Sequence, residues 1–463
     1  MLSRKSFLII IIFNVISFSL IAQQNLSLKK ALQIATENYG SIKAKIRYAE
    51  ASKINIEESK RESLPNINFG LQQDYGTASG QMGPYYGFNG LASGTAGPSL
   101  NHQNWDAAFG ALYLTNVNWD FYAFGKAKEK VKTAQAIAKR DEKDLQQEIF
   151  QHKIKVAAAY LNLVATKQLR ISYEKNLERA DIFKRLVAVK AINGLIAGVD
   201  SSQANAEFSA AKITLIKAID AEEEQNNILL QLLGLPTLQT IIPDTLFIAR
   251  IPSILLDSIS VDKHPVLQWF KSRIALSNAQ SKFFKTLYYP TFSIAALYQS
   301  RASGFGSSYG VNQNDISKDY FKGINPTRSN YLFGVGVTWN ITQPYRINQQ
   351  LKSQDLITKG LIEEYTLAGE QIKAQFQLSD NKIKNALLVY KEVPLQVLTA
   401  TDAFIQKSVL YKNGLTSLVE VMQALYALTR AETDRDIANN NVWQALLLKV
   451  AAVGDISLLE RQL

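Results

Sequence analysis

The chain has 463 residues, with 51 Lys and Arg against 40 Asp and Glu, a formal charge of +11, and no cysteine. The lack of cysteine excludes disulfides, thiolate metal sites, a cysteine nucleophile and a lipid-modified N-terminal cysteine. A positive balance signals nucleic acid when Lys and Arg cluster, but here they alternate with Glu and Gln along helical stretches, the pattern of solvated helix faces.

At the N-terminus, Arg4 and Lys5 precede an apolar run from Phe7 to Phe18 and small residues ending at Ala22. This is the layout of a secretory signal peptide spanning residues 1–22. Leu20, three residues before that cut, is not small, so the exact cleavage site stays open. The run is shorter than the ~20 apolar residues that a membrane-spanning helix needs, and no later stretch is apolar enough to be one.

The remainder divides into two copies of one layout, residues 23–242 and 255–463, joined by a linker at 243–254. "NGLIAGVDSSQA", starting at Asn193, returns 220 residues later as "NGLTSLVEVMQA", starting at Asn413, with six positions identical. Trp119 and Trp339 keep the same offset, as do Gly234 and Gly454, while Pro65 and Pro290 are 225 apart. Solenoid repeats are far shorter, about 20 to 50 residues. The period is that of a duplicated domain half.

Each copy reads helix, strand, loop, strand, long helix, turn, long helix. In the first, the residues from Leu26 to Ser63 are helical in pattern and stop before Pro65, which disfavours helix in the residue preceding it. The period then becomes two. In "NINFGLQQDY", Ile67, Phe69, Leu71 and Tyr75 share one face, opposite Asn66, Asn68, Gln72 and Asp74. The alternation recurs near Ala107 to Trp119, near Thr291 to Ser300, and in "NYLFGVGVTWNI" from Asn330. A half-buried strand of an ordinary sheet alternates in this way. Four such segments of about ten residues, with aromatic ends, in an exported chain that is otherwise helical, are the signature of membrane β-barrel strands.

After Trp119 the pattern is helical from Ala123 to Lys190, with Leu145, Ile149, Val156, Tyr160 and Leu163 forming a coiled-coil-like stripe. A second helix, Val199 to Leu233, runs back. "NGLIAG" therefore forms the turn of an antiparallel helical hairpin, with a glycine suited to a left-handed helix end. The second copy repeats this at "NGLTSL". Asp200 and Glu420 open the returning helices, where the helix dipole favours negative charge.

Chemistry is sparse. The three histidines, His102, His152 and His264, have no metal-ligand spacing, so neither a metal nor a cofactor is expected. "GSSYG" at Gly306 to Gly310 fits the G-x-S-x-G pattern, but no helix signal follows it and no histidine lies after His264. The sequence is not that of an enzyme, and it has no phosphate-binding loop to supply energy.

The signal peptide, the two copies, two strands and two long helices per copy, the proline before each first strand and the two tip motifs together resemble the TolC family of outer membrane efflux proteins. The likeness covers essentially the whole mature chain, including "SLPNINFG", "YYPTFSIA", "YLNLVA" and both hairpin tips. It implies an α+β membrane protein forming a homotrimer. Each chain would give four transmembrane β-strands to a shared twelve-stranded barrel in outer membrane lipid, and antiparallel coiled-coil helices to a periplasmic α-barrel. Four strands cannot close a barrel alone, since small membrane barrels have about eight or more.

The resemblance further implies a porin-like exit channel of a tripartite efflux pump, working with a periplasmic adaptor and an inner-membrane transporter that supplies the energy, with no nucleic acid involved. Asn193, Gly194, Leu195, Asn413, Gly414 and Leu415 would meet the adaptor. Tyr411, Asp200 and Glu420 would sit at the periplasmic constriction, together with Thr416 and Gln423, which stand where the family can have an arginine and an aspartate. These two departures put a salt-bridge gate in question. A duct for type I secretion of proteins or peptides, and a non-conducting periplasmic coiled-coil scaffold, are the alternatives.

Overall fold

A computed structural model describes residues 24–80, 97–236, 239–253 and 263–462; the expected signal peptide lies outside the described residues. The first part of the chain holds β1 (Gln24–Leu26), α1 (Leu28–Asn38), α2 (Gly40–Arg61), β2 (Asn66–Thr77), β3 (Ala107–Tyr122), α3 (Lys126–Ile192), α4 (Gly198–Leu233), β4 (Ile241–Pro243) and α5 (Leu246–Ala249). The second part holds α6 (Pro265–Thr286), β5 (Thr291–Ser303), α7 (Tyr320–Ile324), β6 (Arg328–Thr338), α8 (Gln343–Lys412), α9 (Leu418–Val453) and α10 (Ser457–Glu460). The long segments are single helices, 67 residues in α3 and 70 in α8. Pro394 lies inside α8, where it removes one backbone hydrogen bond without ending the helix.

The helix expected from Leu26 to Ser63 is two helices. Ser27 caps α1 by accepting from the Lys30 N–H, and Tyr39 closes it in an extended conformation before α2 restarts at Gly40. The break lets the Tyr39 ring stack on His152 of α3, with centroids 3.8 Å apart. Tertiary packing overrides local helix preference at this point.

The chain divides into two compact units. The first contains the chain up to Ser52, Ala138 to Ala275, and everything from Lys359 onward. Its core gathers β1, α1, the middle of α3, the end of α4, β4, α5, the end of α9 and α10. Tyr160 ties these together: its hydroxyl donates to the Leu26 carbonyl at 2.7 Å and accepts from the Asp244 N–H at 2.7 Å. It thereby braces β1 and β4, which pair in parallel. Burial pushes the Tyr160 phenol up to about 12. Of the stripe expected on α3, Val156, Tyr160 and Leu163 are buried, and Leu145 and Ile149 are half-buried. The segment read as a linker is part of this core. Phe247 of α5 is buried edge-on against Trp443, whose indole donates to the Arg250 carbonyl.

The second unit, Lys53 to Ile137 and Leu276 to Thr358, is built on a four-stranded antiparallel sheet in the order β2-β3-β5-β6. Residues directly opposite in such a ladder share a face, so the register carries the alternation of one strand across the sheet. Ile67, Phe69 and Leu71 face Val117, Thr115 and Tyr113, which in turn face Ala296, Tyr298 and Ser300. Ala296 and Tyr298 face Phe333 and Tyr331 of β6. A bulge at Phe121 restores the phase, leaving Tyr122 opposite Phe292 on this same face. The four charged residues of these strands, Asp74, Asp120, Arg301 and Arg328, all fall on the other face.

The repeated tryptophans and prolines gain a common reason. Trp119 Nε1 donates to the Ser63 carbonyl at 2.8 Å, and Trp339 Nε1 to the Tyr288 carbonyl at 3.1 Å. In both copies the acceptor lies two residues before the proline that opens the first strand, so the indole fixes where helix turns into sheet. In the "GSSYG" loop, Ser308 Oγ donates to Asp315 at 2.6 Å. This serine closes a turn, its backbone N–H and hydroxyl both bonded to the same carboxylate.

Candidate functional site

The two hairpin tips lie within the first unit, and their backbones are copies of each other. After α3, Leu195 N–H reaches the Lys190 carbonyl at 2.9 Å and Gly194 N–H the Ala191 carbonyl at 3.0 Å. After α8, Leu415 N–H reaches Leu410 at 2.9 Å and Gly414 N–H reaches Tyr411 at 3.1 Å. This is the Schellman pattern of helix termination. Gly194 and Gly414 supply its left-handed residue, with φ of 71° and 75°. Asn193 and Asn413 each donate their side-chain amide to the carbonyl four residues back, at 2.9 Å in both. The motif "NGL" is thus a complete helix stop: an amide back-bond, a left-handed turn and a closing N–H.

A Schellman leucine commonly packs back onto its helix. Here Leu195 and Leu415 are 70% and 72% exposed. Both point away from their hairpins.

Beneath the turns the two hairpins share one apolar cluster. Phe183 and Val187 of α3, Ala204 of α4, Tyr411 of α8, and Leu418, Val421, Met422 and Leu425 of α9 are all buried in it. Tyr411 is only 3% exposed, and its hydroxyl has no hydrogen-bond partner among the described residues. Burial raises its pKa, and the negative charge of Asp200 on the facing hairpin adds to the shift.

Lys190, which sequence reasoning did not single out, joins the copies. Its Nζ donates to the carbonyls of Tyr411 and Lys412, at 2.9 and 3.0 Å, and lies 4.9 Å from the Tyr411 ring centroid. These carbonyls end α8, where the helix dipole is negative and a cation is favoured. No spacing rule could have marked Lys190, because its acceptors are main-chain atoms of the other copy.

The two acids occupy the first turns of their returning helices, as expected. Ser417 caps α9 by accepting from the Glu420 N–H, whereas Ala197 gives α4 no side-chain cap. Glu420 forms an ion pair with Lys407 on the outgoing helix of its own hairpin, and hydrogen bonding and charge from Lys407 hold its carboxyl below the usual carboxylate range. Asp200 forms no ion pair among the described residues. Thr416 is half-buried in the turn and Gln423 is exposed on α9. The structure thus gathers Tyr411, Asp200 and the tip residues at one end of the paired hairpins, and adds Lys190 and Lys407.

The sequence matches no family model and no curated protein. In three dimensions the chain is similar to the outer membrane protein VceC of Vibrio cholerae, with a TM-score of 0.71 and 15% identity over 92% of this chain and 96% of that one. It is similar to the CmeC outer membrane channel of Campylobacter jejuni, with a TM-score of 0.73 and 15% identity over 92% and 85% of the two chains. It also resembles the open state of the MtrE outer membrane channel of Neisseria gonorrhoeae, with a TM-score of 0.66 and 15% identity over 92% and 89%. Spanning nearly the whole of both chains in each case, these likenesses show that the protein has the α+β fold of the TolC-type outer membrane channels.

Proposed function

We infer that the protein is an outer membrane exit duct, a homotrimer through which small molecules leave the periplasm, driven by an inner-membrane transporter reached through a periplasmic adaptor. The observation that carries this reading is the four-stranded sheet. One of its faces bears no charged residue, and the outer edges of β2 and β6 are unpaired among the described residues. Unpaired edges are not tolerated in hydrocarbon, so a sheet of four strands with one uncharged face against lipid must close with other copies. Three copies give twelve strands, within the range of membrane barrels.

The dimensions agree. From Phe109 to Trp119 the uncharged face of β3 runs for ten residue steps, about 34 Å along the strand and about 25 Å in height at a barrel's usual tilt. That is the height of an outer membrane apolar band. A periplasmic scaffold has no use for such a face. A duct for secreted proteins shares it, and differs only in cargo.

In this reading the tips form the periplasmic end. Leu195 and Leu415, with Asn193, Gly194, Asn413 and Gly414, present the surface that an adaptor's own tips would meet. Tyr411, Asp200, Glu420, Thr416 and Gln423 lie at the constriction. Native mass spectrometry of detergent-extracted protein is expected to give three chains per particle, and planar bilayers should show single-channel conductance. A monomer that retains its β-structure overturns the shared barrel, and an inserted trimer that does not conduct overturns the duct.

A further inference from the structure

The charged face of the sheet has an uneven composition. Arg301 of β5 and Arg328 of β6 are directly opposite in the ladder, near the end that carries the long loops. Their Cα atoms are then about 5 Å apart, and like charges so placed destabilise a sheet unless something answers them. Both guanidinium groups stay charged at any working pH.

The carboxylates of this end hydrogen-bond or pair locally, and none forms an ion pair with either arginine among the described residues. Asp74, on the same face, accepts from Gln72 two residues away. Asp106 pairs with Lys318 at 2.9 Å, Asp315 accepts from Ser308, and Asp319 caps α7 by accepting from the Lys322 N–H. Between Asp74 and Asp106, and between Arg301 and Arg328, the sequence contains no other Asp or Glu.

Near this pair the same face carries four leucines, grouped around Gln299 and Asn330, which occupy the row next to the arginines. Leu112 is opposite Arg301 on its other side, and Leu114 is one same-face step further from the loops. Leu297 and Leu332, opposite each other, lie two such steps from the arginines, about 14 Å along the strands. A paired cationic head group with leucines to one side and beyond a Gln299–Asn330 row can complement an amphiphilic anion. If the uncharged face meets lipid, as the duct reading requires, this face lines the lumen.

We propose that Arg301 and Arg328, with Leu112, Leu114, Leu297 and Leu332, form a transit site for amphiphilic anions on the luminal wall, near the exit. The inference rests on the duct reading and deepens it by naming a cargo class: a carboxylate, sulfonate or phosphate monoester carrying an apolar tail. Three chains bring six guanidinium groups together around one lumen. Rings of Arg select anions in pores, and the leucines add preference for a tail.

The test is block of the potassium chloride current through the purified channel in planar bilayers, using octanesulfonate and methanesulfonate as probes. Octanesulfonate is expected to half-block at a concentration roughly tenfold lower than methanesulfonate, from the added apolar contact. The double variant Arg301→Gln, Arg328→Gln should raise the octanesulfonate value by about tenfold, and Arg301→Lys with Arg328→Lys should hold it within about threefold, because the charge is kept. Leu297→Asn with Leu332→Asn should bring the two sulfonates together without moving the methanesulfonate value. A wild-type channel that conducts but treats both probes alike, or a conducting double glutamine variant blocked like wild type, overturns the proposal and leaves the duct standing. A wild-type trimer that inserts without conducting overturns both. Should the double glutamine variant fail to insert, Arg328→Gln on the edge strand carries the same comparison: unchanged block by octanesulfonate counts against the site, and a clear weakening supports it.

Discussion

The two hairpin tips share a backbone and differ in almost every side chain that does anything else. Asn, Gly and Leu stop the outgoing helix identically in both, through the same back-bond, the same left-handed glycine and the same closing N–H. Around that turn, the first copy has Val187, Lys190, Ala191 and Asp200 where the second has Lys407, Leu410, Tyr411 and Glu420. Duplication kept the part that is locally encoded and released the part that depends on the neighbour. The result is directional. The first hairpin reaches across with Lys190 and holds the end of α8, and position 410, being Leu, cannot return the contact. The second hairpin supplies the buried ring, and position 191, being Ala, supplies none.

Removing that ring is the most damaging way to test the asymmetry. Tyr411→Ala empties the cluster beneath both tips and is expected to cost about 3 to 5 kcal/mol, the range for deleting a large buried aromatic side chain. Hydrogen exchange over residues 404–425 is the measurement, since local opening is read there directly. Tyr411→Phe should behave oppositely. Its hydroxyl is buried without a partner among the described residues, so removing it should cost nothing and gain up to about 1 kcal/mol. A phenylalanine variant as weak as the alanine variant would mean that the hydroxyl has a hydrogen-bonded role at the tip, and that the ring is not the main contribution.

Lys190 offers the sharper comparison at smaller scale. Lys190→Met keeps the length and removes the cation, and with it two hydrogen bonds to the end of α8 and the contact with the Tyr411 ring. The loss should be about 1 to 2 kcal/mol of protection at the second tip, from the helix-end charge and the hydrogen bonds together. The corresponding change in the other copy, Leu410→Met, should stay within about 0.5 kcal/mol. Equal losses in the two would show that the tips are held by bulk packing and that the clasp is not directional.

These differences also mark what a sequence can carry. The strands were legible because alternation is a property of neighbouring residues, and Ile67, Phe69 and Leu71 announce their face without reference to the rest of the chain. The tips were legible because "NGL" contains its own helix stop. The break at Tyr39 was not, since it exists to set a ring on His152, more than a hundred residues away. Nor was the ordering of the segment after β4, where Phe247 looks like any loop residue until Tyr160 and Trp443 close around it. Lys190 binds main-chain carbonyls, which every residue possesses, so nothing in the acceptor could name it. Lys407 is the intermediate case: only 13 residues separate it from Glu420 across a known turn, and an antiparallel pairing of the two helices would have put the pair in reach.

The smallest expected effect concerns the acids. Asp200 and Glu420 hold equivalent places in the first turns of α4 and α9, yet among the described residues only Glu420 has a lysine against it. If both acids face a pore, the second tip contributes a neutral pair and the first a bare carboxylate, so the two should differ in what their removal exposes. Glu420→Gln deletes a negative charge and leaves Lys407 uncompensated, while Asp200→Asn merely deletes a charge. Both should lower the cation-to-anion permeability ratio in planar bilayers, by about twofold or less at physiological salt, where exposed charges are screened within about 8 Å. Acid distinguishes them. Lys407 favours the carboxylate, so the folded pKa of Glu420 lies below its ordinary 4.5. The stabilisation by the pair is therefore complete above that value, and is lost as pH falls through the lowered folded value. As pH falls through that lowered value, the wild-type ratio should converge on that of Glu420→Gln, because protonation and substitution leave the same uncompensated lysine. A ratio that is identical in wild type and Glu420→Gln at neutral pH would remove Glu420 from selectivity and leave it the role it shares with Asp200, a negative charge at the start of a helix, where the dipole favours one.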